Sequence, residues 1–210
     1  MTDNQEIWAC YVQHDFLFSL GRGDLPKVCF QYYLGQDYLF LIHLARSYAL
    51  AAYKSESLTD IRQASHGLSA IVDLEMDMHV KFCMSWGLSE ADMEALSESS
   101  ETLAYTRYVL EKGLSGDLLD LHVALAPCII GYAEIGRQLA PADVSNPYAD
   151  WINLYASADY QKIASGETDQ LDLLFEARAG EGRYEALSAI FAQATQLEVA
   201  FWQASLDAKA

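Results

Sequence analysis

Positive charge is scarce in this chain: thirteen Lys and Arg stand against thirty Asp and Glu, a formal net charge of −17 at pH 7. A polyanion would meet repulsion over most of such a surface, so no nucleic-acid partner is expected, and an anionic membrane surface is disfavoured on the same ground. Cysteine is sparse as well, limited to Cys10, Cys29, Cys83 and Cys128. Their spacing matches no zinc motif and they are too few for a disulfide scaffold in 210 residues, so each reads as a free thiol. Long apolar runs are missing too. The longest mostly apolar one, Val123 to Ala133, lies between His122 and Glu134 and falls short of the about 18 residues that a membrane span needs. Asp3 and Glu6 stand where a secretory leader would carry basic residues, so a cytoplasmic protein is expected. No phosphate-cradling loop is present, because Gly21-Arg22-Gly23 lacks the strand and the spacing such a loop requires.

What the chain does have is apolar residues three and four apart over most of its length, with glycine and proline confined to a few breaks. The periodicity predicts an all-α protein, a single helical bundle over residues 1–210. A first helix is expected over Asn4 to Leu20, closed by Gly21-Arg22-Gly23, and a second from the Asp24 and Pro26 start to Tyr53. A third should begin at a Thr59 or Asp60 cap and run to Trp86, with Gly87 as a left-handed stop. Ser89 with Glu90, Asp92 and Glu94 reads as an acidic first turn, favoured by the helix dipole. Further helices are expected over Thr102 to Leu114, Leu118 to Leu139, Tyr148 to Tyr155, Asp159 to Arg178 and Gly182 to Asp207, with a loop from Pro141 to Pro147. Pro127, inside the fifth of these long stretches, removes a backbone hydrogen bond and is expected to bend its helix.

Ligand sites in such bundles lie between helices and are lined by facing side chains. Thirteen Tyr, eight Phe and four Trp suit a flat heteroaromatic ligand, though a large core with amphipathic edges explains the same composition. Tyr33, Asp37, Phe40, Leu41, Leu44 and Tyr48 fall on one helical stripe, which places a lone carboxylate among apolar and aromatic neighbours. If no Lys or Arg faces it, its pKa should rise, or the carboxylate should accept hydrogen bonds from a ligand's amino groups; an Asp that simply meets water is the plainer alternative. Cys128 stands one residue after Pro127, with Tyr132 one helical turn further on, and a nucleophilic role would require a base such as Glu198 on the apolar segment Ala194 to Trp202. Glu75 and His79 at i, i+4 could be metal ligands, but no second Glu-x-x-His pair accompanies them, and an ordinary hydrogen-bonded pair on one helix face is the preferred reading.

Five stretches together resemble the TenA, or thiaminase II, family. They are Phe30-Gln31-Tyr32-Tyr33-Leu34-Gly35-Gln36-Asp37-Tyr38-Leu39-Phe40, Glu75-Met76-Asp77-Met78-His79, Leu125-Ala126-Pro127-Cys128 with Tyr132-Ala133-Glu134-Ile135-Gly136, Pro147 to Ile152 with Tyr155, and Glu198 to Trp202. The resemblance implies a haem-oxygenase-like helical fold, usually homotetrameric, without haem, metal or other cofactor. It also implies hydrolysis of 4-amino-5-aminomethyl-2-methylpyrimidine to the 5-hydroxymethyl compound in thiamin salvage, with thiamin itself as a further substrate. By position it assigns the nucleophile to Cys128, the acid/base to Glu198, pyrimidine recognition to Asp37, and pocket walls to Tyr105, Tyr132 and Tyr155. Phe40 stands where the family often carries tyrosine, which keeps a stacking face and drops a hydroxyl. Two other readings stay open: a haem-oxygenase-like oxidase or metal-dependent oxygenase using Glu75 and His79, and a non-catalytic thiamin-pyrimidine binding protein.

Overall fold

Serine side chains open several of the helices, at Ser57, Ser89, Ser99 and Ser157, and a left-handed glycine, Gly23, closes another. In the computed structural model, which describes residues 4–180 and 182–208, every regular element among the described residues is helical. Asp3 and the outermost positions of the expected 1–210 domain lie outside them. Helix α1 spans Gln5–Val12, α2 Asp15–Arg22, α3 Lys27–Lys54, α4 Leu58–Ser69, α5 Met76–Ser85, α6 Glu90–Glu94 and α7 Ser100–Ser115. Then follow α8 Leu118–Ala126, α9 Tyr132–Leu139, α10 Ala149–Ala156, α11 Ala158–Arg178 and α12 Arg183–Leu206. Two π-helical turns interrupt the pattern, Ala70–Glu75 between α4 and α5 and Pro127–Gly131 between α8 and α9.

Four local expectations change. The helix expected over Asn4 to Leu20 is two helices, because His14 is extended (φ −67°, ψ 148°) and its Nδ1 accepts the Phe16 N–H at 3.2 Å, capping a new start. The cap expected at Thr59 or Asp60 is Ser57, whose hydroxyl reaches the Asp60 N–H at 3.0 Å. The helix expected to run unbroken to Trp86 contains the Ala70–Glu75 π turn. Pro127 produces a widened turn where a simple bend was expected, since a turn bonded i to i+5 accommodates a residue with no N–H. Elsewhere the punctuation follows the sequence. Gly23 (φ 78°) and Gly87 (φ 86°) are left-handed stops, and Ser89 with Asp92 forms a reciprocal capping box.

The elements gather into two compact units that alternate along the chain. The first takes residues 4–26 and His122–Leu206, the second Lys27–Leu121 with residues 207–208. Within the first, α12 packs on α1, α2 and the Pro127–Gly131 turn, while α9 packs on α10. Asn146 ties the loop after α9 to the end of α2 by donating to Leu20 O and Gly21 O, each at 3.0 Å. Within the second, α3 is the axis against which α4, α5 and α7 pack. Gln36 on α3 binds the start of α7, accepting from Ser99 N at 2.9 Å and Thr102 Oγ1 at 2.7 Å. The stretch Leu118–Leu139 is long and apolar enough to cross a membrane by length and composition, yet 78% of its most apolar window is buried within the protein, as in a core helix.

The α9–α10 packing depends on one glycine. A Cβ at Gly136 would lie 2.4 Å from the Tyr155 carbonyl carbon and 2.6 Å from the Ala156 nitrogen, backbone atoms that cannot rotate away. Gly136→Ala should therefore force the helices apart at an overpacking cost of about 1–3 kcal/mol. The expected fall in Tm is about 3–10 °C by thermal melting; an unchanged Tm would show that α10 moves freely.

Candidate functional site

In the first unit, Cys128 is the second residue of the Pro127–Gly131 turn and only 6% exposed, with its thiol donating to Leu125 O at 3.0 Å. Glu198, 2% exposed, comes from the middle of α12. The turn and α12 pack together, and both Cys128 and Glu198 act electrostatically on one buried phenol, that of Tyr11. Tyr132 opens α9 immediately after the π turn, so the regular one-turn relation to Cys128 expected from an unbroken helix is replaced by a widened one. Its ring centroid lies 4.9 Å from Tyr155, 6.0 Å from Trp151 and 5.5 Å from Trp202. Tyr155 packs edge-on to Tyr160 at 4.7 Å. The unit thus holds a buried thiol, a buried carboxyl and an aromatic wall.

Asp37, Phe40 and Tyr105 belong to the second unit. The whole stripe Tyr33, Asp37, Phe40, Leu41, Leu44 and Tyr48 is buried along α3. Phe40 and Tyr105 pack with centroids 4.9 Å apart. Asp37 is 4% exposed, and burial pushes its carboxyl up to about 7 against the pull of the Tyr33 hydroxyl, which donates to Oδ2 at 3.2 Å. His79 Nδ1 lies 3.5 Å from the same oxygen. That imidazole supplies no cation at neutral pH, because burial holds it down to about 4. Its Nε2–H donates to Leu34 O at 2.9 Å, which leaves Nδ1 as the lone-pair nitrogen.

The pairing expected between Glu75 and His79 is replaced by this attachment of His79 to α3, the helix on which α5 packs. Glu75, at the end of the first π turn, is half-buried, and its carboxyl is raised to about 8 by burial and by the charge of Asp37. Cys83, one turn beyond His79, is raised to about 12 by burial first and Asp37 second. The groups that spacing did not single out are Cys83 and, in the first unit, Tyr11. Cys83 stands four residues from His79, a signal that was there to be read; Tyr11 comes from a helix remote in sequence and gave none. Among the described residues no three His, Cys, Asp or Glu side chains are grouped to hold a metal ion.

The chain is matched over residues 2–208 by the model of the TENA/THI-4/PQQC family. A Halalkalibacterium halodurans protein named aminopyrimidine aminohydrolase is 38% identical over 202 residues, covering 94% of this chain and 89% of that one. A solved structure from Silicibacter sp. TM1040, described as a TenA family transcription regulator, is similar with a TM-score of 0.94 at 42% identity, over 98% of this chain and 94% of that chain. A domain from Shewanella denitrificans described as having a haem-oxygenase-like fold matches with a TM-score of 0.77 at 14% identity, over 97% and 89% of the two chains, and establishes the fold alone.

The protonation states set a pH dependence of stability. The folded chain keeps protons on Asp37 to about 7 and on Glu75 to about 8, where the unfolded chain has already released them, so stability falls as pH rises through that window. His79 works the other way, but only below its ordinary 6.5, where the unfolded chain binds a proton that the folded one does not. Above that value the carboxyls act alone. Tm should fall by roughly 4 °C between pH 6.5 and 8, and Glu75→Gln should remove most of the fall. A flat Tm profile for the wild type would show both carboxyls already ionised.

Proposed function

The chain belongs to the TENA/THI-4/PQQC family, and from that premise we propose that it is an aminopyrimidine aminohydrolase of thiamin salvage. The substrate is 4-amino-5-aminomethyl-2-methylpyrimidine, with thiamin as a further one. The observation that carries the reading is the buried Cys128 thiol in a proline-widened turn, packed on the helix that supplies the buried carboxyl of Glu198. The relative named as an aminopyrimidine aminohydrolase supports the same assignment.

The chemistry is that of covalent catalysis. Glu198 accepts the Cys128 proton, and the thiolate adds to a ring carbon of the pyrimidine, which turns an unreactive exocyclic C–N bond into one that can break. Glu198 returns a proton to the departing amine, which leaves as ammonia. Glu198 then takes a proton from water as its oxygen adds at the exocyclic carbon, and expulsion of the thiolate, which recovers that proton, restores the aromatic ring. Tyr132 and Tyr155 offer aromatic faces and hydroxyls for the flat substrate. Asp37 recognises the amino edge of the ring, flanked on its own unit by the faces of Phe40 and Tyr105. Phe40 offers stacking alone, which shifts preference among substrates and leaves the reaction in place. The proposal includes a homotetramer in the cytoplasm, with its mass in solution measurable by analytical ultracentrifugation.

Ammonia release from the aminopyrimidine by purified protein tests the reading, with thiamin cleavage measured in parallel. Cys128→Ser and Glu198→Gln should each lower kcat by about a hundredfold or more with Tm little changed; full activity in Cys128→Ser would remove the covalent mechanism. Asp37→Asn should raise KM at least about tenfold and leave the fold intact, because below about 7 the native carboxyl is already uncharged. Wild-type kinetics in that variant would exclude Asp37 from substrate recognition.

A further inference from the structure

Tyr11 plays no part in the chemistry just described, yet it stands among the groups that do. It is fully buried, and its hydroxyl donates to Pro127 O at 3.2 Å across 116 residues of sequence. That carbonyl belongs to the peptide unit whose nitrogen is that of Cys128. On the other edge of the turn the ring lies against Gly131, where a Cβ would fall 2.2 Å from Cε1 and 2.7 Å from the hydroxyl oxygen. Only a residue without a side chain lets the phenol reach the turn so closely. Trp8 meets the ring edge-on at 5.5 Å, and Trp202 lies nearly parallel to it at 6.4 Å. Burial, then the charges of Glu198, Cys128, Tyr160 and Tyr155, raise the phenol well above its ordinary range, so it remains an O–H donor at any working pH.

We propose that Tyr11 is a positioning residue for Cys128: its hydroxyl bond to Pro127 O, with its ring seated on Gly131, holds the Pro127–Cys128 peptide plane and so sets the direction in which the thiol leaves the turn. The bond matters here because a π turn lacks the regular i to i+4 ladder that keeps peptide planes aligned in an α-helix. Tyr11 acts through Cys128 and moves no proton itself. The inference rests on the nucleophile reading above, and its test has an arm that does not depend on the substrate.

The test uses the full chain in a Cys10→Ser background, which removes the exposed thiol. Iodoacetamide modification of Cys128 is followed by peptide-resolved mass spectrometry, alongside kcat, KM and Tm. Tyr11→Phe keeps the ring and deletes the donor. It should change the alkylation rate of Cys128 at least about threefold and lower kcat about tenfold, with KM within about twofold and Tm lowered by only a few degrees. Gly131→Ala, which displaces the ring and keeps the hydroxyl, should move the alkylation rate and kcat the same way and guards against a failure of the first variant to fold. Phe16→Leu thins the same aromatic cluster, where Phe16 stacks on Trp202 at 4.9 Å, and should lower Tm with alkylation and kcat unchanged. Wild-type alkylation and kcat in Tyr11→Phe would overturn the proposal, as would equal effects from Phe16→Leu. If the wild type released no ammonia, the function proposed above would fail, and the alkylation rates would still decide the role of Tyr11.

Discussion

Pro127 has no N–H to give its helix, and the five residues from Pro127 to Gly131 answer by opening into a π turn. An interior proline costs an α-helix about 3 kcal/mol when its geometry is left regular. The wider turn relieves the clash but leaves a segment whose peptide planes need support from elsewhere. The first unit supplies it. The Tyr11 hydroxyl donates to the Pro127 carbonyl, Gly131 leaves room for the ring, and α12 packs on the turn.

The second unit is organised by a different constraint, the burial of carboxyls without a cation. Two arginines of this unit have partners of their own: Arg107 pairs with Glu98 at 2.7 Å, and Arg46 lies against His43 at 3.3 Å. What Asp37 meets instead is a phenol and a neutral imidazole. A carboxyl so placed cannot hold its charge cheaply, and its pKa climbs until the group is uncharged near neutrality. Its field in turn raises Glu75 and Cys83, so the three titrate as neighbours rather than as isolated groups.

How much of this was legible beforehand differs from residue to residue. The stripe from Tyr33 to Tyr48 was readable because α3 is a regular helix of 28 residues, so the 3.6 period holds along its whole length. The break at His14 was not. An imidazole that caps a helix looks in sequence like any other helical residue, and the chain on either side keeps its apolar period. The two π turns escaped for a related reason: an i to i+5 turn shifts the face without adding an unusual residue at Ala70–Glu75, and even Pro127 announced a disturbance without saying which kind. His79 was placed on the right helix face but given the wrong partner, because its contact with Leu34 O joins two helices 45 residues apart.

The helices, most of their stops, the poverty of positive charge and the motifs that mark the family follow from local spacing or from composition, and so could be read along the chain. That Tyr11 reaches Pro127, that His79 stays neutral beside Asp37 and that His79 is tied to Leu34 was settled by packing. Those outcomes depend on which buried polar atoms find one another when remote helices pack, and hydrogen bonding and desolvation act through space, where spacing along the chain carries no information.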